Sequence, residues 1–159
     1  MNHCCIPVHA EQTDQPVLIL NKIGVGYKIL AFTHTMIIRS TDKAPSAIGP
    51  YSQAVMASGM IYVSGQLPID PSTGSFAGDD IKAQTRQSLE NIRAVLESAG
   101  GGMENVVKTT VLLKDIGEFT EMNEVYAQYF TGTCPARAAF QVGSLPKDAR
   151  VEIEAVAVL

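Results

Sequence analysis

The sequence predicts an α+β domain built on one six-stranded mixed sheet. Six short segments have the alternating or continuous apolar character of β-strands, and two longer segments repeat apolar residues at helical spacing. These segments follow one another in the order β-β-β-α-β-α-β-β. That order implies a single sheet with both helices packed on one of its faces.

The composition indicates one soluble globular domain. A length of 159 residues suffices for a sizeable core, and a hydrophobic content of 46% excludes a disordered chain. The net charge of −4 argues against nucleic acid as the main partner, because phosphate binding requires a basic surface. No apolar run approaches the length of about 18 residues that a transmembrane helix needs, so no membrane partner is expected.

The cysteines indicate a reducing, intracellular compartment. The chain has three, and two of them are adjacent, so they form no closed disulfide framework. We expect a cytoplasmic protein, with mitochondria as the open alternative.

Residues 1–35 are interpreted as an N-terminal extension that is poorly ordered. They show no clear period, although the apolar pieces 17–20 and 27–32 are compatible with short strands. The extension also contains four residues with metal-ligand chemistry: His3, Cys4, Cys5 and His9. Adjacent ligands rarely converge on one ion, so no metal site is expected there. A regular pattern begins at Met36, and we assign residues 36–159 to the domain.

Three strands open the domain, and we predict them at residues 36–40, 51–57 and 60–64. The loop 43–50 separates the first two, since its two prolines and its glycine forbid regular structure. Ser58 and Gly59 join the second and third strands in a tight antiparallel hairpin. A loop with several turn signals follows, from Gly65 to Gly78.

Two helices with a strand between them form the middle of the domain. The first begins at Ile81 after Asp79 or Asp80 as N-cap, and the glycines 100–102 end it. Residues 106–113 are apolar and β-branched, as in a buried strand. The second helix begins near Ile116, and its apolar stripe comprises Phe119, Met122, Val125, Tyr126, Tyr129 and Phe130.

The C-terminal residues 134–159 predict two strands joined by a short turn, like a hairpin. Charged residues interrupt both apolar strands, Arg137 in the first, and Glu152 and Glu154 in the second. Charges in such strands must be paired, exposed at a cleft, or functional. Because strand residues alternate between faces, Arg137 shares a face with Ala139, and Glu152 shares one with Glu154.

The second face of the sheet needs a cover. Strands 106–113 and 151–159 are apolar on both faces, and the sequence offers no further helix to bury the second one. Self-association is the economical solution.

The common catalytic motifs are missing from residues 36–159. There is no Gly-rich phosphate loop before a helix, no Gly-x-Ser-x-Gly and no histidine, which excludes a Ser-His-Asp triad. Cys134 lacks the histidine that usually activates a thiol, and we interpret it as a plain buried or rim thiol.

Polar residues at strand and loop ends remain as candidates: Tyr51, Ser64, Gln66, Asn123, Arg137, Glu152 and Glu154. Two interpretations stay open for the charges. In the first, Arg137 and a glutamate form a structural ion pair across neighbouring strands. In the second, the guanidinium is a receptor that binds a small carboxylate in a bidentate pair.

Several motifs together resemble the Rid (YjgF-type) family, and specifically its RidA branch of enamine/imine deaminases. They are AIGPYSQA at 47–54, YVSGQ at 62–66, VVKTTVLLKD at 106–115, PARAAF at 135–140, and LPK at 145–147 with VEIEAVA at 151–157. The resemblance covers about residues 36–159.

The resemblance implies a chorismate-mutase-like fold and a homotrimer with active sites in clefts between subunits. It implies hydrolysis of 2-iminobutanoate, 2-iminopropanoate and related enamines, which pyridoxal-phosphate enzymes release, to 2-oxo acids and ammonia. It also implies that the reaction needs no cofactor and no metal.

Site roles follow from the same resemblance, position by position. Arg137 matches the arginine that binds the substrate carboxylate, and Glu152 matches the glutamate that positions the attacking water. Tyr51, Ser64 and Asn123 match cleft residues. Ala139 stands where many bacterial members have a cysteine, so thiol-based switching at that position is not expected; backbone groups beside it are assigned to the substrate nitrogen. Glu154 is interpreted as structural.

Two other classes of function stay open. Family members have also been described as endoribonucleases that inhibit translation, and as chaperone-like or ligand-binding proteins. The net charge and the missing histidines disfavour the ribonuclease. A non-catalytic protein that uses Arg137 to bind a small carboxylate is the stronger rival.

Overall fold

The computed structural model describes residues 17–23, 26–32 and 35–159, and the chain divides into the compact units Met1–Thr35 and Met36–Leu159. In the first unit, strands β1 (Val17–Ile23) and β2 (Gly26–Phe32) pair antiparallel. They include the two apolar pieces for which strands were one interpretation. The histidines and cysteines of the discounted metal site lie outside the described residues.

The second unit is a six-stranded mixed sheet with two helices, as the sequence predicts. The sheet order is β3-β4-β5-β8-β6-β7, in which only the β6–β7 pair is parallel. The elements are β3 (Ile37–Arg39), β4 (Ala54–Ala57), β5 (Met60–Gln66), α1 (Ile81–Ser98), β6 (Val106–Leu113), α2 (Phe119–Tyr129), β7 (Ala136–Gln141) and β8 (Val151–Val158). None of the helices in this described part is long and apolar enough to cross a membrane.

The predicted C-terminal hairpin is wrong, because β6 lies between β7 and β8. Helix α2 connects β6 to β7, and a helical crossover of this kind returns the chain parallel to the strand that it left. Strand β8 then enters between β5 and β6 and runs antiparallel to both. The two charged strands are therefore not neighbours.

Local signals set the limits of helix α1 as predicted. The side chain of Asp80 accepts a hydrogen bond from the backbone N–H of Ala83 at 2.9 Å. At the other end Gly100 has φ of 88°, and the N–H of Gly101 donates to the carbonyl of Leu96 at 2.9 Å. Helix α2 begins at Phe119, after a 3₁₀ turn (Ile116–Glu118) at the predicted start.

The core fills the space between the helices and one face of the sheet. Along β8, Val151, Ile153 and Ala155 are buried together with Leu89 and Ile92 of α1. Each large apolar side chain buried in this way stabilises the fold by about 1.5–3 kcal/mol.

The second face of the sheet has no helix among residues 35–159. Apolar side chains on it, such as Tyr62, Phe140 and Val158, are between 39% and 50% exposed. The sequence predicts that β6 is buried on both faces. In the single chain, β6 is buried only on the face that packs against the helices. Self-association through the open face stays a prediction.

Candidate active site

A cavity of about 1020 Å³ lies where β5 and β8 meet the loop that precedes β4. Three predicted site residues, Tyr51, Ser64 and Glu152, line this cavity. Glu154 and Gln66 line it as well, although the sequence analysis gave neither a catalytic role. One half of the predicted site is thus assembled within the single chain.

A buried glutamine holds the loop that forms one wall of the cavity. The sequence predicts a strand from residue 51, but β4 begins only at Ala54. The Gln53 side chain instead accepts from the N–H of Thr41 at 2.7 Å and donates to the carbonyls of Ala44 and Pro45 at 3.2 and 2.8 Å. These bonds pair backbone groups that a loop would otherwise leave unsatisfied.

Tyr51 and Ser64 are held by hydrogen bonds to the same wall. The Ser64 hydroxyl donates to the carbonyl of Ser52 at 2.6 Å, and the Tyr51 hydroxyl accepts from the N–H of Ile48 at 3.4 Å. The Tyr51 ring remains 52% exposed. Its position between solvent and cavity suits a residue that contacts a ligand entering from outside.

Glu152 has no salt-bridge partner within residues 35–159. Its side chain is half-buried on the open face of β8. Burial raises the pKa of the Glu152 carboxyl above its ordinary value, and the negative charge of Glu154 adds to the increase. A carboxylate with a raised pKa is a better proton acceptor at neutral pH than an ordinary one.

Gly65 makes room for the Glu152 carboxylate, a contact that the sequence analysis missed. A Cβ on Gly65 would overlap Oε1 of Glu152 and would lie 2.9 Å from its Cδ. A glycine inside a strand often marks such a close approach, and Gly65 in YVSGQ was a signal of this kind.

Replacing Gly65 with alanine is expected to displace the Glu152 carboxylate and to lower kcat, while the chain still folds. Gly65 does not have positive φ, so alanine introduces a steric conflict and no backbone strain. On the predicted catalytic role of Glu152, we expect a loss of at least about tenfold in kcat, because small misplacements of a catalytic group have effects of this size.

Steady-state kinetics and thermal melting check this prediction. Gly143→Ala is the matched control, because a Cβ at Gly143 meets nothing within 4 Å. Equal kcat values for the two alanine variants would contradict the steric role of Gly65.

Arg137 forms a second polar cluster with Asn123 on the helical side of the sheet. Its Nη1 donates to Oδ1 of Asn123 in α2 at 2.8 Å. Its guanidinium lies over the rings of Tyr126 and Phe119, with Cζ 4.5 and 5.4 Å from the ring centroids. Ring stacking and the hydrogen bond to the Asn123 side chain orient the guanidinium. It is exposed and has no carboxylate partner within residues 35–159.

Strand pairing places Arg137 and Glu152 on opposite faces of the sheet. Arg137 pairs with the buried Thr109, whose hydroxyl is hydrogen bonded to that of Tyr126 in α2 at 2.7 Å. Glu152 pairs with Leu112, three positions further along β6 and therefore on the other face. The alternative of an Arg137–Glu152 ion pair across neighbouring strands is thereby excluded within one chain.

The remaining predicted positions lie close to these two clusters. Ala139 follows Arg137 by two residues on the same face of β7 and is half-buried. Cys134 is exposed and its thiol lies 3.7 Å from the carbonyl of Phe130. Among the described residues, no group of three His, Cys, Asp or Glu side chains could hold a metal ion.

Together these features define an α+β protein that carries two separate polar clusters, around Arg137 and around Glu152, on opposite faces of one mixed sheet. Residues 41–159 match the family model described as endoribonuclease L-PSP, and the chain belongs to this family. The family is the YjgF/Rid family that the sequence motifs resemble.

Relatives of this chain include enzymes and solved structures. The human 2-iminobutanoate/2-iminopropanoate deaminase is 54% identical over 119 residues, which cover 75% of this chain and 87% of the human one. The crystal structure of Escherichia coli TdcF with bound serine has a TM-score of 0.75 at 44% identity and covers 77% of this chain and 98% of TdcF. The structure of the Escherichia coli YjgF gene product has a TM-score of 0.74 at 46% identity, with coverage of 77% and 98%.

Proposed function

We propose that this protein hydrolyses 2-iminobutanoate, 2-iminopropanoate and related enamines to 2-oxo acids and ammonia. The observation that carries the proposal is the half-buried Glu152 carboxylate, without a salt bridge among residues 35–159, in a cavity with Tyr51 and Ser64. Relatives at 54% identity that are named 2-iminobutanoate/2-iminopropanoate deaminase support the choice of reaction. The serine bound to TdcF supports a ligand of amino-acid size.

In the proposed mechanism Arg137 binds the substrate carboxylate in a bidentate pair, and Asn123 holds the guanidinium in position. Glu152 takes a proton from water as the water oxygen bonds to C2. The π-electron pair of the C=N bond moves to nitrogen, to which Glu152 passes the proton that it took from water. Glu152 then takes the remaining proton of the C2 hydroxyl group, the C–N bond breaks as this oxygen becomes a carbonyl, and the second proton passes to nitrogen, which leaves as ammonia. The proposed steps use only groups of the protein and water.

The two polar clusters, one around Arg137 and one around Glu152, are the half-sites of the proposed cleft, and they have to come from different chains. Since Arg137 and Glu152 lie on opposite faces of one sheet, a neighbouring subunit supplies the missing half of each cleft. The apolar open face gives such an assembly a surface to bury. We propose a cytoplasmic homotrimer with one cleft at each subunit boundary.

The description of the family as endoribonuclease raises a second activity, but the residues of this chain favour the deaminase. Residues 36–159 contain no histidine for acid-base catalysis at a ribose. The chain has 16 acidic against 12 basic residues, and the cavity contains both Glu152 and Glu154. Such a surface repels a phosphate backbone.

Glu152→Gln is expected to abolish turnover and to retain binding of a product such as 2-oxobutanoate. Glutamine is nearly isosteric with glutamate but cannot accept the proton of water. An enzyme therefore loses turnover, whereas a non-catalytic carboxylate-binding protein keeps its affinity for the ligand. Imine clearance measured by trapping with semicarbazide, together with calorimetric binding of 2-oxobutanoate, separates the two classes. Retained turnover in the variant would refute the catalytic role of Glu152.

The same substitution is expected to raise the melting temperature at pH 7. Because the pKa of Glu152 is raised in the folded chain, the folded state binds this proton more tightly than the unfolded state does. Ionisation above the ordinary glutamate pKa of about 4.3 therefore disfavours folding, and glutamine removes that cost. Melting curves from pH 3.5 to pH 8 should show the gain at neutral pH and its loss in acid. A gain that does not depend on pH would contradict the assignment.

A further inference from the structure

The turn between β7 and β8 contains two consecutive residues in an unfavourable backbone conformation. Lys147 has φ 55° and ψ 21°, and Asp148 has φ 62°. This left-handed region crowds the Cβ of residues other than glycine; aspartate tolerates it better than most, but the long side chain of Lys147 does not relieve the crowding. Strain of this kind persists only where the surroundings impose it, and it is frequent at ligand sites.

Contacts on both sides hold this turn in place. Leu145 and Ala149 are buried, at 8% and 0% exposure, and anchor its two ends. The N–H of Asp148 donates to the carbonyl of Leu145 at 3.1 Å, and its carboxylate lies 2.7 Å from Nζ of Lys114. The strained backbone is thus fixed around Lys147, whose own side chain takes no part in these contacts.

Lys147 lines the same cavity as Glu152 and Tyr51. It is the one basic residue among the residues that line this cavity in the described chain. Within residues 35–159 its ammonium group has no salt bridge, whereas the nearby Lys114 does. The strained turn therefore places at the cavity an ammonium group that has no salt bridge among the described residues.

We propose that Lys147 is a specificity-determining residue that binds a second carboxylate of the substrate. Building on the proposed deaminase, this adds 2-imino dicarboxylates, with a carboxylate at each end, to the substrates of the site. Arg137 of a neighbouring chain holds the carboxylate beside the imine, and Lys147 binds the distal one. The cavity of about 1020 Å³ has room for the longer acid, and Lys147 partly offsets the negative charge of Glu152.

Binding of two 2-oxo acids that differ in the distal carboxylate tests the proposal without any turnover. Calorimetry on the full chain compares 2-oxobutanoate with 2-oxoglutarate for the parent, Lys147→Met and Lys147→Arg. Lys147→Met is expected to weaken the binding of 2-oxoglutarate about tenfold and the binding of 2-oxobutanoate less than twofold, because only 2-oxoglutarate loses a charge-assisted contact. Lys147→Arg should retain binding of both. Lys82→Met is the control, since Lys82 pairs with Glu124 on the helices, away from the cavity.

Three results would overturn the proposal: no loss of 2-oxoglutarate binding in Lys147→Met, an equal loss for both acids, or a parent protein that does not bind 2-oxoglutarate. Failure of imine hydrolysis alone would refute the deaminase and leave the difference in binding intact. Lys147→Gly adds an independent readout. It should melt at a higher temperature than the parent, because glycine accepts positive φ, and should show the same selective loss of 2-oxoglutarate binding.

Discussion

Replacement of Arg137 with alanine is expected to abolish imine hydrolysis and to leave the assembly intact. The guanidinium is exposed and stacked on the rings of Tyr126 and Phe119, so its removal opens no buried cavity. Truncating one partner of a desolvated charge pair costs about 2–5 kcal/mol, which lowers kcat/KM by about 30-fold or more. Clearance of the imine generated by a threonine dehydratase, followed by semicarbazide trapping, measures the loss.

Arg137→Lys tests the geometry of the same contact. Lysine keeps the charge but loses the planar fork that binds a carboxylate at two points and stacks on aromatic rings. We therefore expect nearly the same loss as with alanine. Arg93→Ala is the matched control, because Arg93 also lies over a tyrosine ring, with Cζ 6.0 Å from the centroid of Tyr129, but outside both half-sites. Unchanged clearance by the Arg137 variants would refute the assignment.

Elements with local determinants were predictable from the sequence. Helix α1 begins after Asp80 and ends just before Gly100, because a capping side chain and a residue with positive φ act over a few neighbouring residues. The position of β8 between β5 and β6 is a non-local property that apolar alternation does not encode. Adjacency in sequence suggested that β7 and β8 form a hairpin, whereas the crossover through α2 had already directed β7 to the far side of β6.

The candidate site shows the same division. Arg137 and Glu152 were identifiable because a charge within an apolar strand needs an explanation. Alternation fixes which residues of one strand share a face, but the faces of two strands can be compared only once their pairing with β6 is known. The positive φ of Lys147 has no glycine or asparagine to signal it in the sequence. The faces on which Arg137 and Glu152 lie and the backbone conformation of Lys147 both depend on tertiary structure, so the sequence alone does not predict them.

Mixed assemblies of two inactive variants are expected to regain activity. In an assembly of Arg137→Ala and Glu152→Gln chains, some clefts combine the intact arginine of one chain with the intact glutamate of its neighbour. In the proposed trimer, tandem purification keeps only assemblies that contain both variants, and about one cleft in three is then complete, so activity should approach about a third of that of the parent. Co-expression of the two variants with different affinity tags, tandem purification and the imine assay measure this recovery.

A site built within one chain predicts the opposite result. Each variant would then lack an essential group in every cleft, and mixing would restore nothing. Separate purification and mixing without subunit exchange is the control, because it keeps both proteins present but holds the half-sites apart. Recovery in the co-expressed assembly alone would show that Arg137 and Glu152 act across a subunit boundary, as their positions on opposite faces of the sheet require. Absence of recovery in verified mixed assemblies would mean that one of the two residues lies outside the catalytic cleft.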